Sequence, residues 1–451
     1  MTKTSSRFVC QSCGASSAKW SGRCDACGAW NAVTEEAPRE SAPGGLGQTG
    51  SRRAHRIAFA ALEGQGDPEP RRTTGLPEFD RVCGGGLVSG STVLIAGEPG
   101  IGKSTLLLQV AAKLGGTRSG PDPACLYITG EEAVEQVRLR ARRLGCSAAR
   151  VLLASATSIR DIAASLEATE LPLAVVVDSV QTMYVDTLDS APGTVSQVRA
   201  SAQELIRLAK LRGFVLLLVG HVTKEGQIAG PKVLEHMVDT VLGFEGERGH
   251  QFRILRASKN RFGPTDEIGV FEMTDGGLIE VTNPSALFLA QRHGEASGAA
   301  VFAGMEGARP VLVEIQALVS SSTLATPRRA VVGWDGGRLA MVLAVLESRC
   351  GLVLAGKEVY LNVVGGLRIA EPAADLAVAA ALISAASDQP VAPETVVFGE
   401  IGLSGEVRAV SRTAARLKEA AKLGFTGALM PPQRRPEARG LRTGGGGRDS
   451  G

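Results

Sequence analysis

Residues 91–104 read STVLIAGEPGIGKS, and this stretch decides the fold. The apolar run 91–96 has the look of a strand, and the residues after it satisfy G-x-x-x-x-G-K-[ST] from Gly97 to Ser104 before a helical run, 105–114. That order of strand, glycine-rich turn and helix is the context in which the pattern is a phosphate loop. Its glycines let successive backbone N–H groups turn inward around phosphates, and the helix N-terminus adds its positive dipole end. Gly97, Glu98, Pro99, Gly100, Ile101, Gly102, Lys103, Ser104 and Thr105 are therefore the candidate nucleotide-binding residues. Lys103 is expected to reach the β- and γ-phosphates of ATP, and the Ser104 hydroxyl to ligate Mg2+.

Outward from the loop, short β-branched runs alternate with helical patterns over 73–284, as in a parallel α/β sheet. The runs 124–129 and 173–177 are nearly continuously apolar, which predicts strands covered on both faces. Val134, Val137, Ala141 and Leu144 recur at helical spacing, with Gly145 as the stop, and Val195, Val198, Ala202, Leu205 and Ala209 repeat the pattern before Gly213. The strand ending in Asp178 carries a carboxylate where a phosphate-loop enzyme holds Mg2+ through water. Glu131 and Glu132 close the preceding strand on the edge where open α/β sheets place ligands. One of them is placed to orient the attacking water, and an acidic first turn favoured by the helix dipole accounts for the other. His221 ends the strand 214–220, where a polar group can sense the γ-phosphate. Two loops leave the same edge, 181–196 and 222–232, and the second offers Lys224 and Lys232 to a DNA backbone.

The chain has 451 residues, enough for two or three folded units. Four segments flank or follow the sheet region. Residues 1–32 hold Cys10, Cys13, Cys24 and Cys27, two C-x-x-C knuckles able to give Zn2+ a tetrahedral thiolate set. Residues 33–72 read as a flexible linker, 285–430 as a second α/β domain, and 431–451, with five arginines and a glycine run, as a disordered tail. Net charge is only +3, so any DNA binding must come from a local basic surface. No apolar stretch opens the chain and no run approaches the length of a membrane span, so neither secretion nor a membrane is expected and the chain reads as cytoplasmic.

Several strings resemble one family closely. The stretch 8–31, FVCQSCGASSAKWSGRCDACGAWN, resembles the zinc motif of the RadA (Sms) family of bacterial recombination and repair ATPases. TGLPEFDRVCGGGLVSGS at 74–91 is similar to that family's ATPase entry segment, and KNRFG at 259–263 to its signature pentapeptide. Cys83 departs from the aliphatic residue usual there, and the Arg/Gly-rich ending replaces a more regular last stretch. The resemblance implies a RecA-type parallel-sheet core behind an N-terminal zinc ribbon. It also implies a homo-oligomeric, hexameric ring around single-stranded DNA that promotes branch migration of branched intermediates together with the RecA recombinase. It favours Glu131 as the base, and it has Lys259 and Arg261 reach the neighbouring subunit's nucleotide. From the residues alone, those two cations sit on a projecting tip that could fold onto its own site or onto the next. Residues 371–375 (EPAAD) and 399–407 (GEIGLSGEV) resemble the Lon peptidase domain, with Ala373 and Ala414 where that family has its Ser and Lys. A nucleophilic Ser needs a base beside it, so this chain is not expected to act as a Lon-type peptidase. A KaiC-like signalling ATPase is the other alternative, and the zinc module and KNRFG weigh against it.

Overall fold

A computed structural model of the chain describes residues 7–10, 16–17, 19–25, 28–30, 33–36, 70–116, 125–221, 233–246, 251–289, 296–322, 324 and 326–432. The chain divides into two units, 1–282 with 306–309, and 283–305 with 310–451. Within the first, the strands β1 (Arg7–Cys10), β2 (Ser16–Ser17) and β3 (Val33–Glu36) form a small antiparallel sheet in the order β2-β1-β3. Its third strand runs four residues beyond the boundary at 32 drawn from composition.

The core of that unit follows in chain order as α1 (Pro77–Val82), β4 (Thr92–Gly97), α2 (Lys103–Gly115), β5 (Cys125–Thr129), α3 (Val134–Arg143), β6 (Val151–Ser155), α4 (Ile159–Ala168) and β7 (Ala174–Asp178). It continues through α5 (Val195–Arg212), β8 (Val215–His221), α6 (Val233–Met237), β9 (Thr240–Glu245), β10 (Phe252–Asn260), β11 (Ile268–Thr274) and β12 (Gly277–Glu280). These nine strands make one sheet ordered β12-β11-β10-β9-β4-β8-β7-β5-β6. The six from β9 to β6 are mutually parallel, and β10, β11 and β12 add on antiparallel. This is the RecA-type core expected from the sequence.

Side-chain alternation explains why the central strands are apolar throughout. Val93, Ile95, Tyr127, Val176, Leu217 and Val219 pack on one face with Phe79 of α1 and Leu106, Leu107 and Val110 of α2. Leu94, Val175, Val177, Leu216 and Leu218 pack on the other with Ile162 of α4, Leu205 of α5 and Leu234 of α6. Both faces being covered, alternate polar positions have no place in these strands. The stops foreseen at Gly145 and Gly213 both take positive φ, 67° and 85°, next to the ends of α3 and α5.

The second unit carries α7 (Pro284–Leu289), β13 (Ala299–Glu306), β14 (Arg309–Ser321), β15 (Arg329–Val332), α8 (Gly336–Cys350), β16 (Lys357–Val363), α9 (Asp375–Ser387), β17 (Thr395–Val397), β18 (Glu400–Ile401), β19 (Val407–Arg408), α10 (Thr413–Lys422) and β20 (Gly427–Leu429). Six of its strands form a sheet ordered β15-β16-β14-β13-β17-β20. Two ion pairs staple it. Fully buried Arg416 pairs with Glu371, donates from Nη1 to the Ala303 carbonyl at 2.7 Å and from Nε to that of Ser411 at 3.0 Å, and lies over the Phe398 ring. Arg338 meets Asp375 through two 2.7 Å bonds, the bidentate geometry that makes guanidinium–carboxylate pairs strong. Among the described residues no helix is long and apolar enough to cross a membrane.

Candidate functional site

The phosphate loop begins where β4 ends. Gly97 is the last residue of that strand, and a Cβ there would collide with the Phe244 carbonyl of neighbouring β9. Gly100 and Gly102 take φ of 80° and 113°, which an L side chain would resist, and Gly102 caps α2. The loop thereby delivers Lys103 as the first residue of α2, only 4% exposed, with Nζ donating to the carbonyls of Gly97 at 2.7 Å and Glu98 at 2.8 Å. Burial pushes its ammonium down to about 8, against the pull of Asp178, Glu131 and Glu98, all acidic groups close enough to favour the charge. A buried cation satisfied only by carbonyl oxygens is a ready acceptor site for an anion. Half-buried Ser104 and buried Thr105 follow it in the first turn.

Because β4, β8, β7 and β5 are parallel neighbours, their C-terminal ends gather on this edge. Asp178 ends β7, is buried, and accepts the Tyr127 phenol on Oδ2 at 2.5 Å. Glu131 follows β5, and its Oε1 accepts from the Ser179 hydroxyl at 2.5 Å and lies 3.2 Å from His221 Nε2. Among the described residues the other ring nitrogen of His221 is buried without a hydrogen-bond partner. Glu132 is drawn elsewhere, to Arg140 of α3 at 2.5 Å, while its backbone N–H donates to Thr129 Oγ1. The two adjacent glutamates thus have different surroundings. One stays at the mouth of the loop, and the other is spent on an ion pair.

Lys259 and Arg261 do not sit on a projecting tip, so that expectation is corrected. Strand β10 continues past Leu255 to Asn260, with a bulge between Ala257 and Lys259. Lys259 is held there because its Nζ caps the C-terminal turn of α6, donating to the carbonyls of Glu235 and Val238 at 2.7 Å each. A lysine satisfies the orphan carbonyls and the negative dipole end of a helix in this way. Arg261 is the more exposed cation, with Nη1 3.3 Å from Asp239 Oδ1 and its backbone N–H on the Asp239 carbonyl. Asp239 in turn accepts from the N–H of Thr92, the first residue of β4. Arg261 therefore lies at the N-terminal edge of the sheet, and the phosphate loop lies at the C-terminal edge. The six residues of β4 between them span roughly 17 Å at the strand rise, well beyond the reach of an arginine side chain.

Of the two loops considered for DNA, 181–196 is tied down by buried Gln197, whose amide bonds the backbone of Val185, Leu188 and Ser190. Lys224 and Lys232 fall outside the described residues. So do Cys13 and Cys27. Cys10 and Cys24 lie in one buried cluster with Val33, and the Gly28 N–H returns to the Cys24 carbonyl in a tight turn, an arrangement suited to a thiolate metal site. Sequence reading missed Tyr127, Ser179, Arg140 and Asp239. A tyrosine in an otherwise aliphatic strand was the one available signal, since a buried phenol needs a partner.

Family descriptions match three parts of the chain: an AAA domain over 67–227, a rubredoxin metal binding domain over 8–35, and subunit ChlI of Mg-chelatase over 340–434. The DNA repair protein RadA of Brucella abortus (strain 2308) is 58% identical over 436 residues, 96% of this chain and 92% of that one. That of Bacillus subtilis (strain 168) is 51% identical over 437 residues, covering 96% and 93%. The chain belongs to the RadA family. Family membership and the sheet order agree on the core, and the ChlI match agrees with the Lon-like reading of the second unit. Among solved structures, the RadB recombinase aligns at a TM-score of 0.38 and 21% identity, over 47% of this chain and 99% of that one.

The separation of the two glutamates is directly measurable. Glu131→Gln is expected to bind ATP with near-normal affinity and to lose turnover, whereas Glu132→Gln keeps most of it. The reverse pattern in single-turnover hydrolysis would reassign the base.

Proposed function

We propose that the chain is a DNA-dependent ATPase of recombination and DNA repair. It works as a ring-shaped homo-oligomeric motor, hexameric by family resemblance, that promotes branch migration on single-stranded and branched DNA with the RecA recombinase. The observation that carries this reading is the position of Arg261 on the sheet edge opposite its own phosphate loop. Its ion pair with Asp239 leaves the guanidinium more than half exposed and so open to a neighbouring subunit. In a head-to-tail ring, one subunit's Arg261 edge faces the next subunit's loop, and hydrolysis becomes coupled to subunit geometry. The relatives' names and the RecA-type core support the same class of activity.

In this reading Lys103 leaves the loop carbonyls for the β- and γ-phosphates, and the backbone N–H groups of Glu98 and of residues 100–104 cradle them, Pro99 having none to give. Ser104 and Asp178 are the residues that would hold Mg2+, the hydroxyl directly and the carboxylate through water. Bound there, the metal would supply positive charge that offsets the charge of the phosphates. Glu131 orients the attacking water and takes its proton at the carboxylate. His221, adjacent to Glu131, senses the γ-phosphate and passes its state to the segment that follows in sequence, which carries Lys224 and Lys232. Cys10, Cys13, Cys24 and Cys27 would hold one Zn2+ in the ribbon. The second unit serves as a scaffold rather than a peptidase. Ala373 is buried and Ala414 exposed, and neither supplies nucleophile or base.

Elemental analysis of freshly purified, reduced protein should find one Zn2+ per chain, and so short a segment should unfold on its removal. Finding none contradicts the ribbon assignment. The motor reading is tested by ATP hydrolysis with and without single-stranded DNA, read with particle size. Arg261→Ala should bind ATP almost normally yet lose about 10³-fold of its DNA-stimulated turnover, as when an arginine donated in trans is removed. Mixing it with Lys103→Ala should restore part of that activity, because each contributes the half the other lacks. Undiminished turnover by Arg261→Ala, or no rescue in mixtures shown to co-assemble, would count against it.

A further inference from the structure

Strand β5 reads Cys-Leu-Tyr-Ile-Thr, and its tyrosine is 1% exposed. Tyr127 points into the cluster under α2 and α3 with Val137, Val110 and Val176. An aliphatic residue would fill that volume without the cost of desolvating a hydroxyl, so a phenol buried there needs a partner. The partner found is a carboxylate on the next strand. Register places Thr129 opposite Asp178 and Tyr127 opposite Val176, two residues earlier, so the ring spans the offset and brings its hydroxyl to Asp178 Oδ2 at 2.5 Å. The phenol O–H is the donor and the carboxylate oxygen the acceptor.

We propose that Tyr127 is the positioning residue for the metal-side carboxylate. This rests on the reading of Asp178 given above. Asp178 is itself buried, and a short O–H to carboxylate bond is among the stronger hydrogen bonds proteins make. By fixing Oδ2, the phenol sets the rotamer of the carboxylate and leaves Oδ1, which accepts from no donor among the described residues, available toward Mg2+ when it binds. Glu132 and Arg140 complete the shell. Arg140 pairs with Glu132 at 2.5 Å and acts electrostatically on both Tyr127 and Asp178. The ordering of Asp178 is thus built into the sheet before any nucleotide arrives.

The test compares binding of a fluorescent ATP analogue in Mg2+ and in EDTA, for the full chain and for Tyr127→Phe and Asp178→Asn. Tyr127→Phe keeps the core volume and removes one oxygen. Its affinity in EDTA should equal that of the unaltered protein, while the gain in affinity on adding Mg2+ should fall about ten-fold, the weight of one hydrogen bond to a charged group. Asp178→Asn should lose at least as much. If Tyr127→Phe keeps the full Mg2+ gain while Asp178→Asn loses it, the positioning role is wrong and the metal reading stands. If affinity in EDTA falls in parallel with affinity in Mg2+, Tyr127 is merely structural and the proposal fails. If Asp178→Asn also keeps the full gain, the metal reading itself fails, and this inference with it.

Discussion

Everything at the candidate site depends on the parallel pairing of β4 with β8 and β9, and of β7 with β5 and β8. Parallel strands share a direction, so their C-terminal ends collect on one edge, and ligands bind there in open α/β sheets. Gly97, Asp178, His221 and the Glu131 turn come from four separate strands and meet only because of that pairing. The same sheet then reverses. Antiparallel β10 returns along β9 and leaves Arg261 beside Asp239 and Thr92, at the other edge. One sheet thus has a nucleotide edge and an arginine edge, roughly 17 Å apart along β4. Such polarity suits head-to-tail association, in which unlike surfaces meet.

The cores explain why so much was legible in advance. Strands buried on both faces must be apolar throughout, and those runs, like the glycine stops of the helices at Gly145 and Gly213, are visible in the residues alone. Asp178 was legible because a carboxylate ending such a strand is conspicuous. The choice between Glu131 and Glu132 was not, because both are acidic neighbours. What separates them is Arg140, eight residues after Glu132 and reaching back from α3. The site of Lys259 was misread for a similar reason. Periodicity shows where an apolar run stops, but β10 continues through polar positions because β9 supplies its hydrogen bonds and α6 supplies carbonyls for the lysine.

In the second unit the buried polar groups are committed to holding the fold. Arg416 is fully buried and held by Glu371 and two backbone carbonyls, and Asp375 is held by Arg338. Each pair has one almost fully buried member, which loss of its half-buried partner would leave uncompensated, so these groups hold the fold whatever the unit does. Ser384, a buried serine of α9, is likewise committed. Its hydroxyl donates to the Gln389 carbonyl and accepts from the Gly298 N–H.

The central claim is that the arginine edge of one subunit serves the nucleotide edge of another. Its most direct test is a photo-reactive amino acid at position 261, irradiated in a mixture of isotopically light and heavy chains with ATP and DNA. The account predicts adducts to the 97–105 loop that join light to heavy chains. Adducts to that loop confined to a single chain would contradict it.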